Sequence, residues 1–310
     1  SELRTVINLN AKWAFTKMVD EVPAALSNKW DFVNLPHSWN AIDGQDGGSD
    51  YYRGTAIYAK ELDKEDLPEA ERYYIEINGA NSSADLYVNG KKYAHHDGGY
   101  STWRADITAE IGPKTMIVIA VDNAPNDTVY PQVADFTFYG GIYRGVKIIS
   151  VPSSHFDLDY YGAPGVMVTP EIKGNNADIE VQASVKNADG AEITYKILDG
   201  EVLVAETTSA DTKVNLTIEN VHLWNGRKDP HLYTLVATLS KDGAELDSVS
   251  TRFGCRTFSV DPEKGFILNG EEYPLRGVSR HQDYPEKGNA LTFEDHKRDI
   301  DLILDGRLLE

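Results

Sequence analysis

Four consecutive polar side chains, Arg280, His281, Gln282 and Asp283, close a run, "YPLRGVS", that otherwise reads as a strand. A guanidinium, an imidazole, an amide and a carboxylate in a row offer both donors and acceptors to a polar ligand. The same groups can instead hold a loop, and pairing between Arg280 and Asp283 is the expected arrangement. Other reactive types are sparse. Cys255 is the only cysteine, which rules out an internal disulfide and a cysteine-based zinc site, and its neighbours Phe253 and Gly254 mark it as a buried thiol. His95 and His96 read as hairpin surface without metal-ligand spacing. No serine nucleophile elbow, H-E-x-x-H helix or phosphate-cradling glycine loop occurs in the sequence.

These side chains must be positioned by a chain of 310 residues, long enough for two or three domains. Thirty basic against 49 acidic residues give a net charge of −19, which repels phosphate backbones and anionic headgroups and argues against nucleic acid and membrane partners. No apolar run approaches the roughly 20 residues of a membrane span. The chain opens on Ser1 close to its first strand; a removed signal is the expectation, favouring periplasm or secretion over the cytoplasm.

The first half reads as successive strands. "RYYIEINGA" (Arg72 to Ala80) alternates as a half-buried strand should, Asn89-Gly90 marks a tight hairpin, and "TMIVIAVDN" is a β-branched core run. From about Phe156 shorter strands recur around Asp199-Gly200 and Asp242-Gly243, the spacing of an immunoglobulin-like sandwich. After Val260 a hairpin is expected at Asn269-Gly270. A helix is expected over Thr292 to Leu304, capped by Thr292 with Asp295 nearby and turning Ile300, Leu302, Ile303 and Leu304 to one side. One strand, loop and helix cannot bury their own faces, so this β/α unit is expected to open a larger domain.

Taken in order, "VNLPHSWNAID", "YYRGTAIYAKEL", "ADLYVNGKKYAHHDGGYSTWRADIT", "DFTFYGGIYRGVKI", "LWNGRKDPHLYTL" and "FGCRTFSVDPEKGFILNGEEYPLRGVSRHQD" resemble glycoside hydrolase family 2, the family of β-galactosidases, β-glucuronidases and β-mannosidases. The resemblance implies a mainly β architecture: a jelly roll over residues 1–152, an immunoglobulin-like sandwich over 153–258, and the first β/α unit of a truncated (β/α)8 barrel over 259–310. "PLRGVS" resembles barrel strand one, placing Arg280 to Asp283 at its carboxyl end, where barrel active sites are built. His281 matches a histidine that lines the sugar pocket in the family. Asp135 opens the segment D-x5-G-I-x-R, completed by Gly141, Ile142 and Arg144; by resemblance it reaches sugar hydroxyls and can ligate sodium, as a hard carboxylate would. Arg144 is expected in a structural ion pair, Trp39 and Trp103 in the core. Arg280, Asp283, Asn40 and Asp50 complete the substrate-binding candidates, the last two from the polar loop "NAIDGQDGGSD".

Retaining hydrolysis of a β-glycoside needs two carboxyl groups about 5.5 Å apart. The family places its acid/base in an Asn-Glu pair on a later barrel strand, and this sequence has no Asn-Glu dipeptide. The expectation is therefore the amino-terminal portion of a retaining exo-β-glycosidase, without its catalytic glutamates and inactive by itself. β-Galactosides come first as substrate, with β-glucuronides or β-mannosides as alternatives; a non-catalytic carbohydrate-binding module is the reading from another class. No cofactor is required by this chain, sodium or magnesium can serve the longer enzyme, and a homo-oligomer is admitted.

Overall fold

The computed structural model describes residues 3–17, 21–23, 26, 29–43, 50–131 and 134–306. They form two compact units: Thr5–Ser150 with Arg280–Glu310, and Ser1–Arg4 with Val151–Ser279.

The first unit holds a six-stranded sheet in the order Asp31–Val33, Trp13–Lys17, Thr55–Asp63, Lys114–Asp122, Ser83–Val88, Lys91–Asp97, and a four-stranded sheet in the order Thr5–Asn8, Val146–Val151, Arg72–Ile77, Trp103–Asp106. Strands distant in sequence are neighbours, and the two ends of the unit meet where Thr5 faces Ser150 and Asn8 faces Lys147. Both sheets feed one core that includes Trp13, Tyr58, Leu86, Ile117 and Ile119 from one and Ile75, Ile77 and Ile148 from the other. Each such fully buried large apolar side chain contributes on the order of 1.5–3 kcal/mol. Asn89 and Gly90 turn the expected hairpin at φ +50° and +80°, values that favour these residue types.

The strand Arg72–Ile77 departs from the half-buried expectation, because Tyr73 through Ile77 are all buried. Its polar member, Glu76, is accommodated by an ion pair to Arg104 at 2.8 Å with both side chains only 8% exposed. A buried charge is tolerable when so paired, and the sequence therefore shows an apparent alternation where both faces are covered.

The second unit sets a three-stranded sheet (Val166–Lys173, Asn176–Ala183, Lys213–Ile218) and a four-stranded sheet (Val202–Ser209, Glu192–Asp199, Tyr233–Lys241, Ala244–Phe253) around a core that includes Ile179, Val181, Tyr195, Ile197, Leu235 and Ala237. The turns at Gly200, Asp242 and Gly243 take the positive φ that the sequence predicts. Asp247, fully buried, accepts from Arg4 Nε at 2.9 Å and from the Phe156 amide at 2.8 Å. Cys255 is buried as expected, and burial pushes its thiol up to about 11. A small ribbon, Phe258–Asp261, Gly265–Leu268 and Glu271–Glu272, includes the hairpin at Asn269-Gly270.

Of the β/α unit expected from the sequence, the helix forms and the strand does not. The helix spans Phe293–Leu304 with a capping box: Thr292 accepts from the Asp295 amide, and the Asp295 side chain accepts from the Thr292 amide. None of its residues is buried, and Ile300 and Leu304 stay exposed. "PLRGVS" is not a sheet strand: residues 274–283 pair with no strand among those described, and Leu275 and Val278 are exposed. A strand of a parallel barrel takes its hydrogen bonds from neighbours on both sides, and the described residues supply neither.

Candidate functional site

The segment Asp135–Arg144 is shaped by three asparagines. Asn123 Nδ2 donates to the Phe138 carbonyl at 2.8 Å, Asn81 Nδ2 to the Tyr139 carbonyl at 2.8 Å, and Asn40 Oδ1 accepts from the Gly140 amide at 2.7 Å. Ser38 Oγ donates to the Gly140 carbonyl at 2.9 Å. The glycines are required by contact: a Cβ on Gly140 would lie 2.0 Å from Trp39 Cζ2, and one on Gly141, at φ +135°, would lie 2.4 Å from the His37 carbonyl. Buried side-chain amides that satisfy backbone polar groups fix a loop as a ladder fixes a strand.

That framework sets the Tyr139 ring in place, and its hydroxyl donates to Asp283 Oδ2 at 2.9 Å. Burial, and then this carboxylate, push the phenol up to about 12, so it remains a donor near neutrality. The loop from Arg280 is secured at its other side by the helix. Arg280 Nε donates to Asp299 Oδ2 at 2.7 Å, and the Tyr284 hydroxyl donates to Asp299 Oδ1. These donors, Tyr284 foremost, hold the Asp299 carboxyl below the usual range. Lys287 and the Thr292 amide hold Asp295 at about 2. Tyr284 and Gly288 exchange amide-to-carbonyl bonds of 3.0 Å, closing the turn.

The predicted residues separate accordingly. Asp283 meets the Asp135 segment through Tyr139, whereas Arg280 pairs with Asp299; the expected Arg280–Asp283 pair is replaced by two partners that lie closer in the fold. His281, Asp283 and Asp135 are exposed. Asn40 is fully buried and bonded to Gly140, Asn123, Asp43 and Tyr52, so its side chain belongs to the framework. Asp50 is exposed and accepts from the Tyr51 amide; residues 44–49 of the same loop lie outside the described residues. Arg144 donates to the Tyr100 carbonyl at 3.0 Å and lies over the Tyr143 ring, a carbonyl contact where an ion pair was expected. Trp39 and Trp103 are core. Tyr139, Asn81, Asn123 and Asp299 were missed; Tyr139 alone carried a signal, standing inside the D-x5-G-I-x-R segment.

Among the described residues no group of three or more His, Cys, Asp or Glu could hold a metal ion. A groove of about 420 Å³ on the outer face of the six-stranded sheet is lined by Thr55, Ser83, Asp85, His95, Asp97 and Asp122, among others. Its polar groups answer one another: His95 bridges Asp85 and Asp97, Thr55 donates to Asp122 and Ser83 to Asp97.

Known proteins match this architecture. The model for the glycosyl hydrolases family 2 sugar binding domain matches residues 6–152, and that for glycosyl hydrolases family 2 matches 164–256. A β-glucuronidase of Bacteroides fragilis is 35% identical over 305 residues, covering 90% of this chain and 44% of its own. A β-galactosidase of Thermoanaerobacter pseudethanolicus is 25% identical over 323 residues, covering 97% and 42%. The crystal structure of an FMN-binding β-glucuronidase from Facaelibacterium prausnitzii L2-6 superposes with a TM-score of 0.89 at 41% identity, covering 98% of this chain and 47% of that one. The chain spans less than half the length of these relatives. With both family models matched in order along it, the chain belongs to glycoside hydrolase family 2 and corresponds to its amino-terminal portion.

Proposed function

We propose that this chain is the amino-terminal portion of a retaining exo-β-glucuronidase, and that the β-galactoside preference expected from sequence gives way to β-glucuronides. The observation that carries this is the order of similarity: across nearly the whole chain the β-glucuronidases stand at 41% and 35% identity and the β-galactosidase at 25%. In this reading the two catalytic carboxyl groups come from a barrel outside these residues. Asp135 and His281 face the sugar from this chain's side. The Asp135 carboxylate accepts from sugar hydroxyls, and the His281 imidazole donates to or accepts from another. Asp135 repels the glucuronide carboxylate, so that anion is received by donor groups elsewhere in the pocket, cationic or amide groups of the barrel foremost. The jelly roll contributes preorganisation, holding Asp135 and the Arg280–Gly288 loop on one rigid frame.

The test is hydrolysis by the full-length gene product of nitrophenyl β-glucuronide, β-galactoside and β-mannoside at matched concentrations. A kcat/KM for the glucuronide about 100-fold or more above either neutral sugar is expected, because a site built for a charged group rejects analogues lacking it. Preference for the galactoside would return the substrate assignment to the first expectation.

A further inference from the structure

We infer that Tyr139 is a positioning residue that acts through Asp283 to set the loop Arg280–Gly288, and with it His281. Its effect on catalysis rests on the glycosidase reading above; its effect on the loop does not.

Tyr139 is itself immobilised. Its ring is buried, its carbonyl accepts from Asn81, and the next amide is held by Asn40. The ring then touches the loop at two points. Its hydroxyl donates to Asp283, and a Cβ on Gly288, at φ +57°, would lie 2.7 Å from ring atoms Cδ1 and Cε1, so the ring packs where only glycine leaves room. Between these points the Tyr284–Gly288 bridge closes a turn. One side chain therefore fixes both ends of the six-residue segment 283–288, and His281 stands two residues before its first contact. Packing alone would be served by phenylalanine. The hydroxyl adds a directional bond to a carboxylate that is otherwise exposed, and a charge-assisted bond of this kind orients its acceptor.

Tyr139→Phe keeps the ring and removes the bond. In the 310-residue chain, amide hydrogen exchange at Tyr284, Lys287 and Gly288, all donors within the loop, is expected to rise about tenfold. Exchange in the strand Lys114–Asp122 should stay unchanged. In the full-length protein, KM for nitrophenyl β-glucuronide should rise about tenfold with kcat within about twofold. Asp283→Asn, which keeps an acceptor oxygen but loses the charge, should raise KM less than Asp283→Ala does. Adding Tyr139→Phe to Asp283→Ala should change KM by less than about twofold, because the phenol then has nothing to orient. Unchanged loop exchange in Tyr139→Phe, or additive losses in the double variant, overturns the assignment. Should the wild type prefer the galactoside, the substrate reading fails alone, and the same constants measured on that sugar still decide the role of Tyr139.

Discussion

Asn40 illustrates how a polar residue in a glycine-rich loop can be structural. Its Oδ1 accepts from the Gly140 amide and from Asn123, while its Nδ2 donates to Asp43 and to the Tyr52 carbonyl. Asn40→Ala would leave a buried amide and a buried side chain without their partner, and unmade buried bonds cost more than made ones return. A loss of about 2–4 kcal/mol is expected, against less than about 0.5 kcal/mol for the exposed Asp50→Ala. Urea unfolding followed by tryptophan fluorescence reads this directly, since Trp13, Trp30, Trp39 and Trp103 lie in the first unit and only Trp224 in the second. A cost below about 1 kcal/mol for Asn40→Ala would mean the asparagine framework does not hold the segment. At this scale the sequence discloses motifs and hides partners. The Asp135 segment and the Arg280–Asp283 run are legible because their residues are contiguous, whereas Tyr139 and Asp283 lie 144 residues apart. Asn40 looked like a ligand because nothing in its local sequence announces Gly140 or Asn123.

Elements were legible where local chemistry decides them. Asn89-Gly90, Asp242-Gly243 and Asn269-Gly270 turn as their φ preferences require, and Thr292 with Asp295 starts the helix where a capping box should. The strand status of "PLRGVS" was not so decided, because it depends on partners rather than on its own residues. Tertiary context also sets the packing of His37, whose Nδ1 lies 2.7 Å from the Tyr58 hydroxyl and ties the segment Leu35–Asn40 to the strand Thr55–Asp63. Burial, and secondarily Lys17, hold the His37 pKa at about 4, below its ordinary value near 6.5. Burial raises the pKa of Tyr58, which stays protonated beside the neutral imidazole. The unfolded chain therefore takes up a proton at His37 before the folded one does. The associated stability is complete above about pH 6.5 and is lost as pH falls from there toward 4, roughly 2 kcal/mol by pH 5. Urea unfolding at pH 7.5 and pH 5 should show wild type losing about that much more than His37→Gln. Equal losses in the two proteins would remove His37 as the cause.

For the whole molecule, the main apolar core of each unit and an excess of negative charge were readable from strand rhythm and composition. Substrate preference was not, because within one family it is set largely by barrel loops rather than by accessory sandwiches. The same division governs activity. A retaining glycosidase needs one carboxyl group kept protonated near neutrality, its pKa raised by an apolar pocket or a neighbouring carboxylate. In this chain Asp97, Glu110, Asp261, Asp295 and Asp299 are all moved downward, by donors from Ser83, Tyr93, the Lys264 amide, Lys287 and Tyr284 respectively. Carboxylates so stabilised are structural acceptors that resist protonation, the reverse of a general acid. Because the proposed function assigns both catalytic carboxyl groups to the barrel, the purified 310-residue chain is expected to release no nitrophenol from β-glucuronide, β-galactoside or β-mannoside substrates, while the full-length gene product does. Turnover by the chain that persists through repeated purification and disappears on substitution of one of its own carboxylates would place a catalytic pair within these residues, and would overturn the proposed division between a recognising amino-terminal portion and a barrel that performs the chemistry.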